Sequence, residues 1–269
     1  MPKTIISAEP DTLGVYLNKV WQHHALIVTL AKRDLKIKYA QTILGLAWTF
    51  IQPLVAVITY TLFFAYLMDF KTEYPYILFV LSGILLWGLF NYIFAQGSTS
   101  LTQNQELIRK LYFPKIILPL SKALVGFVEF AIIAVLFIIL MFVFKSTPTW
   151  RIIFIPFLLI ALSAFALGMA FILSAATVRN RDLNHIIPFL VNFGIWFTPV
   201  FYPVTLIPQQ FAHLLYINPM ASIIQLFRVC VFSEAYMPAM FLGIAVSFLI
   251  FIIGFCYFKN VEDSIVDYL

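Results

Sequence analysis

The sequence predicts an all-α integral membrane protein with six transmembrane helices, an N-terminal interfacial amphipathic helix and a re-entrant helical hairpin between spans five and six, forming a single transmembrane domain over residues 1–269. Three observations predict it. Hydrophobic residues make up 62% of the chain and charged residues 11%, at a mean hydropathy of +0.97, which excludes an ordinary soluble domain. The apolar runs are long, nearly uncharged and rich in Leu, Ile and Phe without strict alternation, so they suit helices and not the two-residue period of a membrane barrel. Residues 186–232 are as apolar as the rest but carry Pro188, Pro199, Pro203, Pro208 and Pro219, which break the stretch into short pieces.

The elements follow in order. Met1 to Pro10 has no apolar core of a cleavable signal, so the N-terminus is expected to be retained. Over 12–31, Leu13, Leu17, Val20, Trp21, Ile27 and Val28 recur at helical spacing, with Asn18, Lys19 and Gln22 off that face, the pattern of a helix lying on a membrane surface. His23 and His24 are adjacent, point apart on a helix and make a poor metal pair, and no metal site is expected. A basic cluster follows at Lys32, Arg33, Lys36 and Lys38, with Asp34 among them and Tyr39 at its end. It orients the first span under the positive-inside rule. Arg33, Lys36, Lys38 and Tyr39 are also candidates to hold an anionic membrane-lipid head group or a diphosphate, Arg33 as a bidentate fork and the lysines as point charges.

Spans are expected at 43–68, 75–95, 116–144, 152–178, 186–201 and 238–258, and a re-entrant hairpin at 204–232 that turns at Asn218-Pro219. The first would reach roughly 39 Å at ~1.5 Å per residue against a hydrocarbon core of ~30 Å, so it must tilt or kink, and Pro53 is the kink site. With the N-terminus inside, thirteen of the seventeen Lys and Arg fall on the cytoplasmic side, and only Lys71, Lys145, Arg151 and Arg228 on the outer side. Both termini are therefore expected in the cytoplasm. The net charge of +5 follows this asymmetry, so it indicates orientation and no nucleic-acid partner. Cys230 and Cys256 lie in different segments, where a disulfide is not expected.

Between spans two and three, the polar stretch 101–114 is placed to take force from outside the bilayer and pass it to both spans. Its candidate contact residues are Gln105, Glu106, Arg109, Lys110 and Tyr112. Glu129 is the one acid deep in a span, where a charge costs at least ~2.5 kcal/mol and calls for a partner or a proton. Lys122 lies two turns away on the same face and is expected to share a polar interface with it.

Several of these stretches resemble one family. Arg33-Asp34-Leu35-Lys36-Ile37-Lys38-Tyr39, followed by Leu44-Gly45, Trp48 and Pro53-Leu54, resembles the opening signature of permeases in type-2 ABC exporters of bacterial polysaccharides. Leu107-Ile108-Arg109-Lys110, Phe113-Pro114-Lys115 and Leu118-Pro119-Leu120-Ser121 are similar to that family's coupling region. Arg181-Asp182, Pro188-Phe189, Thr198-Pro199-Val200 and Tyr202-Pro203 resemble its fifth span, and Asn218-Pro219-Met220 its re-entrant turn.

The resemblance implies a homodimeric channel in the bacterial inner membrane, driven by two copies of a separate ABC ATPase subunit. Its substrate would be an undecaprenyl-diphosphate-linked glycan: O-antigen first, with capsule-type polysaccharide or teichoic acid as relatives. The chain has no Gly-x-x-x-x-Gly-Lys-[Ser/Thr] loop, since the nearest spacing, Gly83 to Gly88, runs on into Leu89-Phe90. It is therefore expected to bind no cofactor and to catalyse nothing, with ATP and Mg on the partner. Because aromatic faces stack on the C–H surfaces of sugars, Phe189, Phe193, Trp196, Phe197 and Phe201, near one face of the fifth span, are candidates for lining the glycan path. Trp48, Tyr60, Trp87 and Tyr92 are further candidates of the same kind. Two other classes stay open: a stand-alone secondary transporter, which should show inverted repeats or paired intramembrane ions, and a lipid-linked-sugar transferase, for which Asp69 and Glu73 are the only candidate carboxylate pair on the outer side.

Overall fold

The computed structural model describes residues 12–40, 45, 47–180 and 182–268, without the side chains of 209, 210, 212, 263 and 266–268. Residues 41–44, 46 and 181 lie outside that set, so the start of the expected first span, Leu44 and Arg181 are not described. All regular structure among the described residues is helical.

Helix α1 (Leu13–Gln22) and helix α2 (His24–Tyr39) replace the single interfacial helix expected to end at residue 31; they join at His23, and α2 carries the whole basic cluster. Helix α3 (Ala47–Tyr60) holds Pro53 in its interior and widens into a π-helical stretch, Thr61–Leu67. Helix α4 (Tyr76–Ser98) runs back across the bundle. At its end the polar segment forms two short helices, α5 (Ser100–Gln103) and α6 (Gln105–Lys110), interrupted at Asn104 where a single helix was expected. Helix α7 (Ile117–Val143) and helix α8 (Ile155–Arg179), the latter preceded by the 3-10 turn Trp150–Phe154, complete the first four crossings.

Helix α9 (Leu183–Gly194) ends seven residues short of the expected span, and the chain passes 195–203 as irregular backbone. The reason is local: Pro199 cannot donate to a helix and disfavours helical geometry at Thr198. Helix α10 (Gln209–Leu215) turns into helix α11 (Pro219–Phe232) at Asn218, whose side-chain oxygen accepts from the Met220 N–H at 3.0 Å, with Pro219 in the first helical position. Helix α12 (Met240–Tyr268) runs ten residues past the expected end of the last span. Buried Phe258, Glu262 and Ile265 hold these extra turns against the bundle.

Among the described residues, five helical stretches are long and apolar enough to cross a membrane: Ala47–Leu67, Tyr76–Ser98, Ile117–Val143, Trp150–Arg179 and Met240–Glu262. Of the most apolar window in each, 72% is buried in the α4 stretch and 6% in the α3 stretch. Helix α4 is thus the central post, while the α3 stretch is the least enclosed of the five. Helices α8 and α12 cross in backbone contact, because a Cβ on Gly168 would stand 2.6 Å from the Ile250 oxygen and one on Gly254 would overlap the Gly168 carbonyl.

Candidate functional site

At the end of the bundle that carries the polar segment, α2 is fastened to α7 by two ion pairs. Lys122 Nζ lies 2.6 Å from Asp34 Oδ2, with both side chains nearly buried, and Lys38 Nζ lies 2.5 Å from Glu129 Oε1. Lys122 and Glu129, two turns apart on one face of α7, thus each reach a residue of α2 across a single polar interface. Arg33 donates to Asp34 at 2.8 Å and, through the same terminal nitrogen, to the Asn104 side-chain oxygen at 2.9 Å. Asn104, the break between α5 and α6, in turn donates to the Ser100 carbonyl at 2.8 Å. Burial would raise the Asp34 carboxyl, but the Lys122 and Arg33 contacts outweigh it and hold the group below its ordinary value of 3.8.

The four residues proposed for an anionic head group are thereby divided. Arg33 is engaged with Asp34 and Asn104, and Lys36 is exposed. Lys38 and Tyr39 face a cavity of about 480 Å³ between α3, α4 and α7. Trp48, Tyr60, Trp87 and Tyr92 line it together with the amides of Gln52, Asn91 and Gln96, and Glu129 closes its edge. Tyr39 and Thr49 share a hydrogen bond of 3.0 Å across its mouth. Aromatic faces and amides in one cavity can stack on and hydrogen-bond to a polyhydroxylated ligand.

In the polar segment, Ile108 is buried and anchors α6, whereas Glu106, Arg109, Lys110 and Tyr112 are exposed and Gln105 is half-buried. Glu106 and Lys110 pair at 3.3 Å, one turn apart, on the open face. The segment can therefore meet another protein without unpacking its own core.

Of the aromatics expected along the fifth span, Phe189, Phe193, Trp196 and Phe197 are each more than half exposed, and the rings of the first two lie 4.3 Å apart. Phe201 departs from that set. It is fully buried, stacked on Tyr60 at 3.8 Å, because the chain leaves the helix before reaching it, and a ring so enclosed lines no open path.

Arg228, fully buried, knots the irregular stretch to the core. It donates to Ser82 Oγ at 3.2 Å and to the carbonyls of Pro199 at 2.7 Å, Phe79 at 3.1 Å and Val200 at 3.1 Å, with its guanidinium 3.6 Å over the Phe79 ring. Asn218 donates to the Phe197 carbonyl at 3.3 Å, Tyr202 to that of Trp196 at 3.2 Å, and Tyr76 to that of Phe201. Backbone that has lost its helix is thus satisfied internally, as an apolar environment requires.

Glu262 was not singled out by the sequence. It is buried in the extension of α12, accepts from the Tyr16 hydroxyl at 2.5 Å, and also accepts from the Lys115 backbone N–H. It therefore joins α1, the exit of the polar segment and the C-terminal helix. The available signal was its spacing, four residues after Phe258 and three before Ile265, which puts an acid on an apolar helix face.

Residues 25–232 match the ABC-2 type transporter family. A protein of Myxococcus xanthus named O-antigen export system permease protein RfbA is 29% identical over 225 residues, covering 82% of this chain and 85% of that protein. Two proteins of the same name from Klebsiella pneumoniae are 27% identical over 205 residues and 26% identical over 253 residues. They cover 76% and 91% of this chain and 78% and 95% of their own lengths. With its polar segment, apolar crossings and knotted turn all inside or adjoining the matched region, this multi-pass membrane protein belongs to the ABC-2 type transporter family.

Proposed function

We propose that the chain is the channel-forming permease subunit of an ATP-driven exporter that moves an undecaprenyl-diphosphate-linked polysaccharide, O-antigen, across the inner membrane. Two copies form the channel, and two copies of a separate ATPase subunit, which carries ATP and Mg, drive it. The observation that carries this reading is the alignment, along 76–91% of the chain, with proteins named as O-antigen export permeases. In this reading both termini are cytoplasmic, 183–201 completes a sixth crossing through its irregular end, and 209–232 forms the re-entrant hairpin on the outer side.

Closure of the ATPase pair pushes on Glu106, Arg109, Lys110 and Tyr112. The push reaches Asn104, passes through Arg33 to α2, and from there through the Asp34–Lys122 and Lys38–Glu129 pairs to α7. Phe189, Phe193, Trp196 and Phe197 offer ring faces to the passing sugars, alongside the aromatic cavity between α3 and α4. Co-purification from the native membrane tests the reading. A two-plus-two complex whose ATPase activity depends on this chain, together with loss of surface O-antigen on deletion, is the expected result. A chain that purifies alone and transports without regard to ATP depletion overturns it in favour of a stand-alone secondary transporter.

A further inference from the structure

The Lys38–Glu129 pair sits at the edge of the aromatic cavity, with Lys38 Nζ 5.0 Å from the centre of the Tyr92 ring. Lys38 is 44% exposed and Glu129 15%, so the cation is open to an incoming ligand while its counter-ion stays behind it. Lys122, on α7, is taken up by Asp34, and Arg33 by Asp34 and Asn104. Lys38 is therefore the cation that faces the cavity, and its charge is already neutralised by a group in the wall.

We infer that Glu129 is a displaceable counter-ion that sets the affinity of this site for a diphosphate head group. The inference rests on the reading of Lys38 as a head-group contact. When the diphosphate enters, Lys38 swings from the Glu129 carboxylate to a phosphoryl oxygen, and the neighbouring Asn91, Tyr92 and Gln96 side chains supply uncharged donors. Glu129, left facing the phosphate, repels it and restores the original pair when the head group moves on. A transported ligand has to be bound strongly enough to enter and weakly enough to leave, and a resident carboxylate beside the cation that lines the cavity supplies the second condition. The same contact explains how a carboxylate is tolerated within an apolar crossing: Lys38 compensates it between turnovers.

The test measures binding of undecaprenyl diphosphate to the intact transporter in nanodiscs, with inorganic pyrophosphate as competitor. Glu129→Gln, which keeps the shape and removes the charge, should tighten binding about tenfold, and Lys38→Gln should weaken it about tenfold. In the double variant, loss of Glu129 should recover no more than about twofold, because there is no longer a cation to release. Glu129→Asp, with the charge drawn back by one methylene, should fall between wild type and Glu129→Gln. Pyrophosphate should displace the lipid, and more readily from Glu129→Gln. If Lys38→Gln weakens binding while Glu129→Gln leaves it unchanged or weaker, the counter-ion role is overturned and the Lys38 contact survives. If Lys38→Gln changes nothing, the contact and the counter-ion role both fall, and if pyrophosphate displaces nothing the lipid tail carries recognition and the inference fails.

Discussion

Lys122, on α7, donates to Asp34, on α2, across a separation of 88 residues and at 2.6 Å. The contact is the inner rung of a clamp whose outer rung is Lys38–Glu129, and Arg33 ties the clamp to the break in the polar segment at Asn104. A helix lying along one end of the bundle is thereby locked to a helix that crosses it.

Removing one member of the inner rung leaves a buried charge without its counter-ion. Lys122→Met should lower stability by on the order of 3 kcal/mol, whereas Asp34→Leu combined with Lys122→Met should cost less than Lys122→Met alone. Thermal unfolding of wild type and the two variants in detergent checks the order, and a double variant less stable than the single one contradicts it.

The same rung has a pH signature. The Asp34 carboxyl titrates below 3.8 in the folded protein, so its contribution is fully present above that value and is lost as pH falls through the lower folded value. The melting-temperature gap between wild type and Asp34→Asn should hold steady from pH 7 to about 5 and narrow as pH falls below 3.8. A gap that persists unchanged at pH 3 refutes this account.

Arg228 satisfies the carbonyls of Pro199 and Val200, which lie outside any helix, and ties them to the Phe79 carbonyl and Ser82 hydroxyl of α4. Arg228→Met should cost on the order of 3 kcal/mol or more, through acceptors left unpaired in an apolar interior. Arg228→Lys, lacking the planar fork, should recover less than half of the loss. Proteolysis within 195–208, compared between wild type and variants, reports whether the irregular stretch comes loose, and resistance equal to wild type argues against the knot.

Glu262 joins the exit of the polar segment to α1 and α12. Glu262→Ala should leave the chain inserted and assembled but lower export per ATP hydrolysed at least threefold, a ratio that separates coupling from abundance. Tyr16→Phe, which removes the hydroxyl contact alone, should fall between. Unchanged export per ATP in Glu262→Ala removes the coupling role.

On the exposed face of the polar segment, Glu106→Ala with Arg109→Ala should uncouple ATP hydrolysis from export without affecting stability, since neither side chain is buried. Hydrolysis and export measured in parallel decide it. Export at the wild-type rate would show that force enters elsewhere.

Much of this was legible in the chain. Composition and run length indicate a helical membrane protein, because lipid demands long uncharged segments with internally paired backbone, and that demand is written in single residues and their spacing. The basic cluster, the polar segment, Glu129 and the prolines of 186–232 were visible for the same reason: each is an exception to an apolar background. The partners of those exceptions were not visible. Spacing along α7 put Lys122 and Glu129 on one polar face without naming their partners, and both turn to a helix some ninety residues earlier, since two turns separate them on their own helix while α2 lies alongside. Phe201 looked like a continuation of the aromatic face of Phe189 and Phe193, but a face persists only as far as its helix, and Pro199 ends that register. Local chemistry determined where the chain meets lipid and where it breaks. Tertiary packing alone decided which charge neutralises which, which aromatics share a cavity, and which buried arginine closes the break, because those energies depend on distances between segments that the order of residues does not encode locally.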